Sequence, residues 1–281
     1  MILATGATGT VGSTVIDALS GSDDRVRVAT RDVEAARAEL PGVDDYVTFD
    51  FAHPETWGPT LAGVDRLFLV RPSVVRVDPI REFVDAATRV GVGHVVYLSV
   101  LGTEKNPLLP HRRIERRIES SGVRHTFLRA SFFMQNLVEN HRRDIVEHDE
   151  VFVPAGAGET SFVDARDVGA AAALALTEPG HAGRAYDLTG PEALTYSEVA
   201  DVFTEVLGRR ITYADPSLLA FARRMRSRGT PLPFVVVMLG IYTTARLGLA
   251  GRVTRDVETV IGREPIDLRE FVADHAGSFR R

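Results

Sequence analysis

The 281-residue chain has no cysteine, which removes disulfides, thiolate zinc sites, iron–sulfur clusters and cysteine nucleophiles at once. Its eight histidines are scattered without an H-x-x-x-H pair, so no metal site is expected. No G-x-S-x-G elbow occurs, which counts against a serine hydrolase. Long apolar runs are missing too: the most apolar late segment, Phe234 to Thr243, is about half the ~20 residues a membrane-spanning helix requires. Met1 runs straight into Ile2-Leu3-Ala4 without a basic stretch, so no secretory leader is read. Nor does one charge dominate. The 33 basic and 38 acidic residues leave a formal net charge of −5, which argues against a whole-protein polyanion binder. What is present is ordinary globular material, 44% hydrophobic and 25% charged. The expectation is a cytoplasmic protein with no membrane and no nucleic-acid partner.

Short β-branched runs alternate with longer helical patterns over the first two-thirds, as in βαβ units around a parallel sheet. Strands are expected near Ile2–Thr5, Arg25–Ala29, Tyr46–Phe49, Arg66–Val70, Val95–Ser99 and Thr126–Arg129, with one more at Tyr186–Gly190. Helices are expected near Val11–Leu19, Val33–Leu40, Asp78–Val90, Arg112–Ser120 and Ala165–Leu176. The near-continuous apolar strands suit a sheet covered on both faces. From Pro191 the pattern is mostly helical and reads as a smaller lobe. The division expected is residues 1–150 for the sheet domain, completed by about 162–190, and 191–281 with about 151–161 for the lobe. The run Arg112-Arg113-Ile114-Glu115-Arg116-Arg117-Ile118-Glu119 and the cluster Arg223-Arg224-Met225-Arg226 read as solvated helix faces.

Between the first strand and first helix lies Thr5-Gly6-Ala7-Thr8-Gly9-Thr10-Val11-Gly12. Glycines there allow a tight turn and let backbone amides reach a pyrophosphate, which the helix N-terminus also attracts. The spacing is G-x-x-G-x-x-G, not the standard G-x-G-x-x-G, yet its place on the first βα turn points to a dinucleotide. Arg31 closes the second strand and suits a ribose 2′-phosphate, favouring NADP(H); Asp32, one residue on, is the competing ribose acid. Asp50-Phe51 follows the third strand, where the adenine edge should lie, although Asp50 also suits a helix-leading turn.

These residues, together with Tyr97-Leu98-Ser99, Phe132-Phe133-Met134-Gln135-Asn136, Phe162-Val163-Asp164-Ala165-Arg166-Asp167-Val168, Tyr186-Asp187-Leu188-Thr189-Gly190-Pro191 and Gly262-Arg263-Glu264-Pro265, carry a resemblance over nearly the whole chain. It resembles the atypical short-chain dehydrogenase/reductase group that includes NmrA-like proteins, isoflavone-reductase-like enzymes and NADPH-dependent quinone and dye reductases. The resemblance implies an α/β, Rossmann-like doubly wound parallel sheet with a smaller, mostly helical C-terminal lobe over the nicotinamide. It implies bound NADP(H), with the glycine turn, Arg31, Asp50 and Phe51 joined by Val70, Arg71, Ser99, His111, Ala130 and Phe132. Ser99 stands where many short-chain reductases carry a catalytic serine, and it also reads as a packed strand-end residue with a hydrogen bond. Their Tyr-x-x-x-Lys pair is absent: Thr103 to His111 contains no tyrosine, and His111 falls at the lysine position. His111 is therefore read as a proton donor near neutral pH, as a ribose contact, or as a helix-start residue bonded to backbone. Phe133, Met134, Asn136 and Phe162 are candidate contacts for a small apolar substrate, or else domain-interface packing. The expected activity is reduction of a quinone-, enone- or carbonyl-like compound; the alternative is a non-catalytic NADP(H) sensor acting through a protein partner. A homo-oligomer is compatible with either.

Overall fold

In the computed structural model, which describes residues 1–72 and 75–280, strands and helices alternate from the N-terminus. The order begins β1 (Ile2–Thr5), α1 (Thr10–Leu19), β2 (Val26–Thr30), α2 (Val33–Glu39), β3 (Asp45–Thr48), α3 (Trp57–Leu61) and β4 (Arg66–Val70). It continues with α4 (Val77–Arg89), β5 (His94–Val100), α5 (Pro110–Ser121), β6 (Arg124–Ala130), β7 (Phe132–Phe133), α6 (Gln135–Glu139) and α7 (Arg142–His148). Next come β8 (Glu150–Val151), β9 (Glu159–Val163), α8 (Ala165–Thr177), β10 (Arg184–Leu188), β11 (Ala193–Thr195), α9 (Tyr196–Leu207) and β12 (Thr212–Tyr213). Helices α10 (Leu218–Ser227), α11 (Leu232–Arg246), α12 (Asp256–Ile261) and α13 (Leu268–Asp274) complete the chain. Among the described residues no helix is long and apolar enough to cross a membrane.

The chain divides into two compact units. The first comprises residues 1–130, 165–188 and 256–263, and the second 131–164, 189–255 and 264–281. The first departure from the sheet unit thus comes at Ser131, about twenty residues before the boundary expected near 150, and α12 returns to the first unit although it lies in the C-terminal third. The local reason lies just after Ala130: Phe132-Phe133 pair with Phe162-Val163 of β9, inside the second unit.

The first unit is a seven-stranded sheet in the order β10-β6-β5-β4-β1-β2-β3, parallel throughout. The strand order reverses between β1 and β4, and a crevice at such a switch point, outside the carboxyl ends of the strands, is where ligands bind open α/β sheets. Alternating side chains feed opposite faces. Leu3, Leu67, Leu69, Val95 and Tyr97 share one cluster with Ile80, Phe83 and Val84 of α4 and Ile114 and Ile118 of α5. Their neighbours Ile2, Ala4, Phe68 and Val96 are equally inaccessible on the other face. Small side chains explain why the Ala-rich α8 lies so near α1. A Cβ on Gly169 would come within 2.5 Å of Thr14 Oγ1, and that hydroxyl donates to the Ala165 carbonyl at 2.9 Å.

The second unit combines a three-stranded sheet, β11-β9-β7, and the pair β12-β8 with six helices. Its core gathers Met134, Phe162, Phe203, Phe221, Tyr242 and Phe271. The apolar segment expected to be helical is α11, which buries Val235, Met238, Tyr242 and Ala245 and exposes Val236, Val237 and Ile241. Helix α9 starts on a capping box, in which Thr195 Oγ1 accepts from the Glu198 N–H and Glu198 answers to the Thr195 N–H. In the Arg223–Arg226 cluster Arg223 and Arg226 are exposed, as a solvated face requires, but Arg224 turns inward. Arg224 bonds Asp144, whose carboxylate is fully buried, at 2.8 Å, and lies 3.3 Å from the centre of the Phe152 ring.

Candidate active site

The glycine turn is built by three different steric demands. Gly6 has a φ of +64°, the left-handed region that side chains resist, and its carbonyl accepts the Gly9 N–H at 3.0 Å. Gly9 is the N-cap of α1 with extended backbone and offers no side-chain acceptor to the first helical turn. Gly12 packs directly on the turn, where a Cβ would fall 2.0 Å from the Gly6 oxygen and 2.6 Å from Ala7 Cα. Gly6, Thr8 and Gly9 are exposed, Thr10 is half-buried, and the Val11 side chain points inward, so Val11 can contribute only its amide to a ligand. The result is an open backbone turn at a helix N-terminus, the kind of place that attracts a phosphate group.

Thr5 plays a supporting part. Its buried hydroxyl donates to the Phe68 carbonyl at 3.2 Å and accepts the Val70 N–H at 2.9 Å, strapping the ends of β1 and β4 together at the switch point. At the end of β2, Arg31 and Asp32 are both exposed and differ in what they bond. Asp32 is the N-cap of α2 and its Oδ1 accepts the Ala35 N–H at 3.0 Å, while Arg31 is exposed. Asp50 likewise serves a turn, accepting the Ala52 N–H at 2.8 Å. The Phe51 ring is core, 4.7 Å from Phe49 and 5.4 Å from Phe83 between centroids, so only its backbone remains for a ligand.

Two side chains that share a face of β5 meet two that share a face of α5. Tyr97 Oη lies 2.9 Å from His111 Nδ1, and the rings stack at 5.9 Å. Tyr97 is inaccessible and burial raises its pKa far above the usual phenol value. His111 keeps partial exposure; burial first, and the positive charge of Arg71 second, lower its pKa to about 4. Burial and Arg71 thus favour the neutral imidazole at pH 7. Arg71 is itself half-buried, and Val70 before it is half-buried at the carboxyl end of β4.

Ser99 is packed at the end of β5. It is 2% exposed, and its Oγ donates to Glu115 Oε1 at 2.8 Å. Glu115 also accepts from Arg129 Nε at 2.9 Å and Nη2 at 3.0 Å, and from Arg112 Nη1 at 3.0 Å. Its carboxylate is fully buried, so the Arg112–Glu119 run is not simply a solvated face. Ser99 is a strand-end residue whose proton is committed to this network. Ala130 has its carbonyl engaged by the Leu101 N–H at 2.9 Å and offers little else.

The remaining candidates belong to the second unit. Met134 and Phe162 are 1% and 2% exposed and pack in its core, which removes their side chains from the substrate contacts expected. Phe132 is partly buried with its ring 5.6 Å edge-on from Phe162; Phe133 and Asn136 are also half-buried, and Asn136 Oδ1 accepts from Asn140 at 3.2 Å. Sequence reasoning missed Tyr97 as a partner of His111 and Glu115 as a buried anion. The available signal was spacing, two residues from Tyr97 to Ser99 on a strand and four from His111 to Glu115 on the following helix. Among the described residues no cluster of His, Asp and Glu is arranged to hold a metal ion.

Comparison with known proteins agrees with this architecture. An NAD(P)H azoreductase from Xenophilus azovorans is 34% identical over 284 aligned positions, covering 99% of each chain. The NADPH-dependent quinone oxidoreductase of Escherichia coli, solved in complex with NADPH, superimposes with a TM-score of 0.89 at 28% identity over 98% of this chain and 99% of that one. Triphenylmethane reductase from Citrobacter sp., complexed with NADP(H), gives a TM-score of 0.87 at 27% identity over 97% and 99%. A model of the NmrA-like family matches residues 1–270, and the chain belongs to that family.

Proposed function

We propose that this protein is an NADPH-dependent reductase that passes a hydride to a small apolar acceptor such as a quinone, an azo or other dye, or an enone. The observation that carries the reading is the cradle at the switch point, where Gly12 cannot bear a Cβ and Gly9 leaves the first turn of α1 without a side-chain cap. The similarity to reductases named for azo compounds, quinones and triphenylmethane dyes supports the acceptor class.

NADPH, when bound, supplies the hydride. The chain's own residues bind and orient. Amides at the start of α1 would face the pyrophosphate, the Gly9 N–H being held by the Gly6 carbonyl, and Arg31, with Asp32 engaged as a cap, would meet the 2′-phosphate. Thr5 holds the floor of the crevice by joining β1 to β4. His111 stands at the start of α5 as a neutral hydrogen-bond donor, not as a cationic acid. Quinones and dyes suit such a site, because delocalisation stabilises their reduced forms and little acid catalysis is needed. Phe132, Phe133 and Asn136, which keep exposed surface, are the candidate contacts for the acceptor.

The test is steady-state NADPH oxidation with a panel of quinones, azo dyes, enones and simple ketones. Turnover with the delocalised acceptors and little with ketones is expected. Tight NADPH binding without turnover of any acceptor would replace the reductase by the sensor.

A further inference from the structure

We propose that Tyr97 is a positioning residue whose hydroxyl holds His111 in the Nε2–H tautomer, leaving that N–H to be donated to whatever occupies the carboxyl edge of the sheet. The inference rests on the reductase reading for its ligand, but not for its geometry.

Two neutral groups 2.9 Å apart can share their hydrogen bond in two ways. If His111 carried its proton on Nδ1 and gave it to the Tyr97 oxygen, the Tyr97 O–H would need another acceptor. Tyr97 is fully buried, and among the described residues its hydroxyl meets only His111. A buried donor left unpaired is costly, so the hydroxyl donates to Nδ1 and the imidazole proton sits on Nε2. No protein group among the described residues pairs with Nε2, and the ring is partly exposed. Among the described residues it is therefore a donor with nothing to receive it.

The surroundings of the ring act on its charge, and on balance they keep it neutral. Arg71, following β4, opposes protonation of the imidazole, and Glu115, one turn along α5, acts in the other direction. Glu115 is itself tied to Ser99, Arg112 and Arg129. Desolvation is the larger influence, and it keeps the ring neutral. A neutral N–H donor polarises a carbonyl or holds a ribose hydroxyl across the whole physiological pH range. An imidazolium would lose its extra proton within that range.

The experiment uses the full chain labelled with nitrogen isotope in histidine, with the His111 signals identified by their loss in His111→Gln. In the cofactor-free wild type, His111 should show a protonated Nε2 and an unprotonated Nδ1. In Tyr97→Phe, which keeps the ring and loses only the hydroxyl, both tautomers should appear. The same variant should lose about three- to tenfold in kcat with the KM for NADPH little changed. Adding NADPH to the wild type, or NADPH with a non-reducible acceptor analogue, should shift the Nε2 signal. An Nδ1–H wild type overturns the proposal and needs no variant to be folded. An unchanged tautomer in a folded Tyr97→Phe overturns it as well. Calorimetry on the same sample shows separately whether NADPH binds at all, so a failed cofactor reading is told apart from a failed tautomer.

Discussion

Ser99 Oγ donates to Glu115 Oε1 over 2.8 Å in a place where Ser99 is 2% exposed and Glu115 not at all. The pair joins the end of β5 to the first turns of α5, and Arg129 brings in the neighbouring β6 with two further bonds to the same carboxylate.

Removing Glu115 should therefore be expensive. Glu115→Ala leaves Arg129 with its nearest buried counter-charge gone, a change that typically costs about 3–5 kcal/mol. Ser99→Ala removes one hydrogen bond to a charged group and should cost about 1.5–3 kcal/mol. Urea denaturation of both variants checks the order. A Glu115→Ala protein within about 1 kcal/mol of wild type would mean that the carboxylate is solvated in solution.

The turn glycines make a sharper pair. Gly12→Val puts a side chain into the Gly6 carbonyl, 2.0 Å from the required Cβ, and should lower stability by at least about 1–3 kcal/mol as well as abolish NADPH binding. Gly9→Val meets the same oxygen only at 3.3 Å, so the fold should survive while the cradle fills. Thermal melting with fluorescence titration of NADPH separates the two. Normal NADPH affinity in Gly9→Val would remove the turn from the cofactor site.

The fold was legible because its signals are local. Apolar strands such as Leu67-Phe68-Leu69 and the glycine turn at the first βα junction define a parallel sheet and its ligand edge without long-range information. Side-chain destinations were less legible. Glu115 and Arg224 sit in runs of alternating charge that look solvated, and only the packing of α5 on β5 and β6, and of α10 near Asp144, turns them inward. Met134 follows a strand, as a pocket wall would, and Phe162 lies in one, yet the pairing of β7 with β9 folds both into the second unit's core. Asp32 was ambiguous in sequence because ribose acids and helix caps are the same residue type at nearly the same place.

Cofactor choice should follow Arg31. With Asp32 engaged by Ala35, Arg31→Ala should weaken NADPH by about 1.5–3 kcal/mol and leave NADH nearly unchanged. Calorimetry with both cofactors measures the difference. Equal losses would assign Arg31 to adenine stacking instead of the 2′-phosphate.

Acid should destabilise the protein before its carboxylates titrate. His141 is fully buried with Nε2 against the Tyr242 hydroxyl, and burial lowers its pKa from 6.5 to about 4. Above pH 6.5 both folded and unfolded chains hold it neutral, and its contribution is complete. Between pH 6.5 and about 4 only the unfolded chain takes up the proton, so stability falls, by up to about 1.4 kcal/mol per pH unit from this group. Below that window the folded protein is protonated too and the loss levels off. His94 and His111, lowered to about 4 as well, act in the same sense. Urea midpoints across this range should show a shallower fall for His141→Gln than for wild type; parallel curves would mean that His141 is accessible to protons in the native state.

The most direct measurement follows the hydride itself. Two samples of NADPH, each deuterated on one face of nicotinamide C4, are oxidised by the enzyme with an enone, and the saturated product is examined by mass spectrometry. A cofactor fixed in the Gly6–Gly12 cradle presents one face only, so one sample should place a deuterium on carbon in the product and the other none. Label in neither product, or label from both faces alike, would contradict direct hydride transfer from an oriented NADPH.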